Sequence, residues 1–363
     1  MRESSHYLCM RILPILAVFC FCCSAAFAAD AVPATAYFPV LPLDAAADAA
    51  PQLVPVAANH ALEGVHAGVT RAIIAIHDDT RDAAGALAQL SALAGAENAT
   101  TMIMAPQFLL LTDVARFADH LPDRGHAFAI WQMSGWPAGD DSVAQQGQRG
   151  ISSFTIVDLF LMYLSDRTAF PDLKTVVIVG AGAGANFVQH YAAFNLAADA
   201  IDQQKIDLRY VVAGAPSYLY LTASRPLGGR KGFGIPDTAA CPDYNAYPYG
   251  MDRLNNYARR VGINAAKTNY ALRFITYLSV PGVDANPETN CASVVQGVDS
   301  NSRANNYQLY IPSLYGDVAT RTQTFSFAKD GKNDAVALFG SSCGMEVLFG
   351  DGLCPHVFAG TLQ

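Results

Sequence analysis

VVIVGAGAGANF, residues 176–187, runs from four β-branched residues straight into glycines at 180, 182 and 184. The apolar run predicts a buried strand over 176–179, and the residues after it predict a helix over 185–197 with Phe187, Tyr191 and Phe194 on one face. Two chemistries place glycine at such a strand-to-helix junction. A dinucleotide-binding loop needs an acid at the end of the next strand, about 20 positions on. Asp199 and Asp202 stand near that distance, but the next strand, predicted over 208–213, ends in Ala213-Gly214 without an acid. The second chemistry is the tight turn that presents a hydrolase nucleophile, G-x-S-x-G. Gly180 and Gly184 fill its flanks, and the central position is Gly182.

Outward from this stretch, apolar runs alternate with helical periods. Strands are predicted over 73–76, 101–105, 127–132, 208–213, 274–278 and 322–327. Helices are predicted over 82–94, with Leu87, Leu90 and Ala94 aligned, near 113–120, and over 153–166 with Ser153 as N-cap. Residues 29–60, rich in Ala and Pro, read as an extended segment leading into the first strands. Alternation of this kind builds a mostly parallel sheet covered by helices on both faces. Residues 216–266 differ: Gly, Pro, Tyr and Asn dominate, and they read as a long excursion over the C-terminal edge of the sheet.

The chain has 363 residues, is 52% hydrophobic and 15% charged, and can bury a large core. Behind Arg2 and Arg11, an apolar run ends in Ala26-Phe27-Ala28, the pattern of a signal peptide cleaved near Ala28, with Met1 or Met10 as its start. The expected organisation is a leader over 1–28 and one domain over 29–363, secreted or periplasmic, with no membrane span after cleavage. Four cysteines then remain, and an even count in an exported chain suggests Cys343 with Cys354 and Cys241 with Cys291. No close C-x-x-C pair supports zinc, and no cofactor or metal is expected. A net charge of −8 without a Lys/Arg cluster argues against nucleic acid. Asn98-Ala99-Thr100 is a glycosylation sequon.

The stretch SSFTIVDLFLMYLSDRTAFPDLKTVVIVGAGAGANFVQHYA, residues 152–192, closely resembles secreted α/β-hydrolase-like proteins of the serine esterase and lipase type. The resemblance continues in AIHDDTRDA (75–83), APQFLL (105–110), WQMSGWPAGDDS (131–142), YVVAGAPSYLYL (210–221) and ALFGSSCGMEVLFG (337–350). It implies an α/β-hydrolase fold, with the excursion following the sixth strand position, and a triad in the order Ser, acid, His. The nucleophile position falls on Gly182. The acid falls on Asp284, after the strand that ends at Val280. The histidine falls on Asn333 in AKDGKNDAVALF, or one residue away on Lys332. His356 is the only histidine after His190 and lies beyond the expected helix. The oxyanion hole would use the N–H of Ala183 and the loop after the first strong strand. There the expected H-G pattern reads His77-Asp78-Asp79, and a carboxylate opposes oxyanion charge.

Serine hydrolysis needs an oxygen nucleophile and a base to take its proton. The resemblance therefore implies a degenerate triad and a protein that keeps the cleft for a small molecule, a glycan or a protein ligand. His77, Trp136 and Tyr218 are candidate cleft residues, beside Asp78, Asp79, Gly182 and Ala183. A second reading keeps hydrolysis at a non-standard site built from His77, Asp79, Asp284 or His356, while no motif supports Ser217, Ser341 or Tyr218 as substitutes. A third makes the chain the partner of an active relative, through the Tyr-rich excursion.

Overall fold

The structure, a computed structural model, describes residues 35–40, 51–116, 127–132, 135–144, 149–228, 232–280, 290–327, 334–352, 354 and 357–358. The leader reading of 1–28, and the positions Asp284, Lys332, Asn333 and His356, lie outside the described residues.

Eight principal strands are β1 (Thr35–Val40), β2 (Gln52–Ala58), β3 (Arg71–Ile76), β4 (Thr101–Pro106), β5 (Thr175–Ala181), β6 (Asp207–Ala213), β7 (Phe274–Ser279) and β8 (Gln323–Phe327). They lie in the order β1-β2-β4-β3-β5-β6-β7-β8, and a short β9 (Val357–Phe358) pairs antiparallel with β8. From β4 to β8 every pairing is parallel; β1–β2 and β2–β4 are antiparallel. Residues 35–58 thus supply two sheet strands. Ala127–Phe128 and Ile130–Trp131 form two short strands where one was expected; of the helix expected near 113–120, residues 113–116 lie in a 3-10 turn at Leu111–Arg116 and 117–120 lie outside the described residues. The β5 residues Val176 to Ala181 are all buried, because helices cover both faces of the sheet and leave no side for polar alternation.

On one face lie α1 (Ala83–Ala94), α6 (Ala335–Gly340) and α7 (Ser342–Phe349); on the other lie α2 (Ser153–Leu164), α3 (Ala183–Phe194), α4 (Ile263–Leu272) and α5 (Ser300–Tyr315). Leu87, Leu90 and Ala94 of α1 are buried, as their spacing requires, and Asp82 caps the helix by accepting the Gly85 N–H at 2.9 Å. The α2 cap is Ser152, one residue before the expected Ser153. The Ser153 hydroxyl instead donates to the Trp136 carbonyl at 2.7 Å, tying the helix to the loop beside it.

The excursion after β6 is anchored from within. Arg225 is wholly buried, donates to the carbonyls of Thr222, Ser224, Tyr244 and Tyr249, and lies 4.4 Å over the Tyr220 ring. Tyr218, Tyr220, Tyr244 and Tyr257 are buried. Many of the aromatics that suggested a partner surface are therefore core. Disulfides join Cys241 to Cys291 and Cys343 to Cys354, and no helix among the described residues is long and apolar enough to cross a membrane.

The two disulfides close loops of very different length, 50 and 11 residues. Loop-closure entropy then makes the Cys241→Ser/Cys291→Ser variant less stable than Cys343→Ser/Cys354→Ser by about 1 kcal/mol. Urea denaturation of the two variants side by side checks this.

Candidate functional site

The backbone turns from β5 into α3 at Gly182, where φ is 56° and ψ is −121°. Such a positive φ strains residues that carry a Cβ, at about 1–3 kcal/mol, and is easy for glycine. The Gly182 N–H donates to the Ala213 carbonyl at 3.1 Å, which fixes the turn against β6. Its flanks are crowded. A Cβ on Gly180 would stand 2.3 Å from the Gly184 carbonyl oxygen. One on Gly184 would stand 2.4 Å from the Ile76 oxygen and 2.6 Å from the His77 oxygen. Position 182 itself is roomy: a Cβ there would meet only the Cβ of Asp78, at 3.6 Å. The turn thus has the shape of a nucleophile elbow and room for a side chain, and carries none.

The loop after β3 faces this turn. His77 is buried; its Nε2 accepts the Phe108 N–H at 3.0 Å, so the neutral ring carries its proton on Nδ1, which lies 2.9 Å from the Asp78 carbonyl. Both ring nitrogens are engaged by backbone, which leaves neither for a substrate proton. Burial drives the pKa of this imidazole down to about 4, against smaller upward pulls from the Asp78 carbonyl and carboxylate. Asp78 holds Thr80 through its carboxylate, 2.9 Å from the backbone nitrogen and 2.5 Å from the hydroxyl. Arg81 clamps the loop from outside: its Nε donates to Asp113 at 2.8 Å and its Nη1 to the Asp79 carbonyl at 2.8 Å.

Two aromatic candidates are corrected. Trp136 is 1% exposed, stacked on Phe108 at 5.3 Å and against His77 at 4.6 Å, so it packs the loop and offers no cleft surface. Tyr218 is 3% exposed, stacked on Tyr307 at 4.5 Å, with its backbone N–H bonded to Gln296. Both are held by partners that distant segments bring in. Ser341 caps α7 by accepting the Gly344 N–H.

Two cavities open at the C-terminal edge of the sheet, on either side of the Asp78-Asp79 loop. One, of about 470 Å³, lies between α1 and α6 and reaches His77, Asp78 and Ala181. Asp334, next in sequence to the expected histidine position, is on its wall. The other, of about 340 Å³, is lined by Asp79, Ala183, Asn186, His190, Ser217 and Pro248, among others. Asn186 and His190 were not singled out from sequence. They follow Gly182 at steps of four, so one face of α3 delivers all three to the same edge. The His190 Nε2 lies 2.8 Å from the Pro248 carbonyl and its Nδ1 contacts the Asn186 carbonyl. Burial lowers the pKa of this ring, against the pull of both carbonyls.

The His77 environment has a pH consequence. In the unfolded chain an imidazole takes its proton below about pH 6.5, whereas folded His77 resists until about pH 4. The unfolded state binds more protons across that window, so stability falls as pH drops through it. His77→Gln, whose side-chain oxygen can still accept the Phe108 N–H, is expected to lose about 3 kcal/mol less than the natural chain between pH 6.5 and pH 4. Urea denaturation at stepped pH measures the difference; equal slopes would refute the buried neutral ring.

No family model and no curated protein matches the sequence. Solved structures do match. Poly(aspartic acid) hydrolase-1 from Sphingomonas sp. KT-1 is 16% identical, with a TM-score of 0.54 over 87% of this chain and 99% of that chain. LpqC, a poly(3-hydroxybutyrate) depolymerase from Bordetella parapertussis, is 14% identical, with a TM-score of 0.55 over 88% of this chain and 92% of that one. With the strand order and the turn at Gly182, these likenesses show an α/β-hydrolase fold.

Proposed function

We propose that the chain is an exported member of the α/β-hydrolase fold that does not act as a serine hydrolase and binds a ligand at the C-terminal edge of its sheet. One observation carries this reading: Gly182 holds the elbow torsions, with space for a side chain and none present. An oxygen nucleophile at that point is the one group the mechanism cannot do without. The assignment of the acid to Asp284 and of the histidine position to Asn333 belongs to the same reading. So does an oxyanion region at Asp78, Asp79 and Ala183, where the Cβ of Asp78 is the one atom near a side chain placed at position 182 and a carboxylate in that region would oppose the charge an oxyanion hole must stabilise. The cavities of about 470 and 340 Å³ support ligand binding, since both fall in the range of about 300–1,000 Å³ common to small-molecule sites. Two disulfides support an oxidising compartment, in keeping with a leader over residues 1–28.

Hydrolysis of short-chain p-nitrophenyl esters tests the reading. The natural chain is expected to match the buffer blank. The Gly182→Ser/Asn333→His variant is expected to exceed the natural chain by at least about a hundredfold, the scale of general-base assistance. Turnover by the natural chain would overturn the reading and direct attention to Asp79, Asp284 or His356.

A further inference from the structure

The cavity of about 340 Å³ beside Ala183 carries uncharged hydrogen-bonding groups that the fold leaves unused. Ser293 stands on a short helical turn, Cys291–Val294, which the disulfide from Cys291 to Cys241 ties to the excursion. It lines the cavity and is 1% exposed, yet its hydroxyl has no hydrogen-bond partner among the described residues. Solvent still reaches that oxygen, and the cavity is the opening its residue lines. A polar group this deep is ordinarily paired, so a free one marks a place where a ligand atom belongs. On the same wall the Asn186 Nδ2 donates to the Ser217 carbonyl at 2.9 Å and to the Ser217 hydroxyl at 3.3 Å. The backbone carbonyl can only accept, so the amide is held with its nitrogen toward Ser217. Its Oδ1 is left as an acceptor without a donor among the described residues, and the Ser217 hydroxyl keeps its proton to give.

The rest of the lining narrows the ligand. No lysine or arginine lines the cavity and Asp79 does, so an anion finds no counter-charge there. Both His190 ring nitrogens already contact backbone carbonyls. Pro137, Pro216 and Pro248 supply flat carbon surfaces between the polar groups. Two hydroxyl donors and an amide acceptor suit groups that both accept and donate, which are hydroxyls, and the prolines suit a saturated ring. We propose that this cavity binds a single uncharged sugar ring, its hydroxyls paired with Ser217, Ser293 and the Asn186 Oδ1. A volume near the lower end of the range of about 300–1,000 Å³ for small-molecule sites fits one ring. The proposal deepens the ligand-binding reading above and rests on it.

Calorimetric titration of the disulfide-bonded chain tests this. The probes are the methyl pyranosides of glucose, mannose and galactose, with cyclohexanol as a ring that keeps one hydroxyl. At least one glycoside is expected to bind with a dissociation constant on the order of millimolar, and at least about tenfold more tightly than cyclohexanol. The Ser217→Ala/Ser293→Ala variant is expected to bind that glycoside at least about tenfold more weakly. In urea denaturation Ser293→Ala is expected to be as stable as the natural chain or more so, because the hydroxyl it removes has no partner within the fold. No binding of any glycoside, cyclohexanol binding as tightly, or full binding to the double variant would overturn the proposal. A clear loss of stability in Ser293→Ala would overturn it too, by showing that the hydroxyl serves the fold. None of the probes has an ester bond, so ester turnover by the natural chain would overturn the non-hydrolase reading alone, and failure of the glycosides would overturn only the sugar assignment.

Discussion

The closeness of α3 to β3 and β5 is the constraint on which the rest of the site depends. Gly180 and Gly184 leave no space for even a methyl group, because carbonyl oxygens of Gly184, Ile76 and His77 stand where a Cβ would go. That contact sets the start of the helix directly against the loop after β3. It places Gly182 beside Asp78, and it sends the helix face of Asn186 and His190 toward the excursion. Substituting either flanking glycine would have to move a helix or a strand of a closely packed core, where displacement is costly. At the centre of the turn, by contrast, there is room.

The contrast between the flanks and the centre explains what the chain keeps. The flanks are fixed by packing, so the elbow persists whatever chemistry it serves. The centre is fixed only by torsion, and glycine satisfies that torsion with the least strain. His77 follows the same logic. Its ring fills space beside Trp136 and Phe108 and satisfies the Phe108 N–H, so it is held by the architecture of the loop. Asp78 and Asp79 follow it in sequence, and carboxylates are not the groups that stabilise an oxyanion.

Much of this was legible in the sequence. The β-branched run 176–179, the glycine spacing and the α1 period of Leu87, Leu90 and Ala94 each report one local requirement, and each element formed where it was expected. Both disulfides followed from cysteine count and loop position. What escaped depends on distant partners. The strands β1 and β2 carry Pro39 and Pro55, which interrupt the alternation by which strands are recognised, and their pairing joins segments that no local pattern links. Trp136 and Tyr218 read as cleft aromatics because residue type alone does not distinguish a wall from a core. Phe108 and Tyr307 decide the matter from 28 and 89 positions away. Asn186 and His190 became visible only once the register of α3 was fixed by the turn that precedes it.

The most direct test of the account is covalent labelling. A fluorophosphonate reacts with activated serine nucleophiles, and intact mass spectrometry reads each adduct on the whole chain without reference to any substrate. The account predicts an unchanged mass after prolonged exposure of the natural, disulfide-bonded protein. A stoichiometric adduct on any hydroxyl would contradict it, since the fold would then hold a nucleophile away from the turn at Gly182.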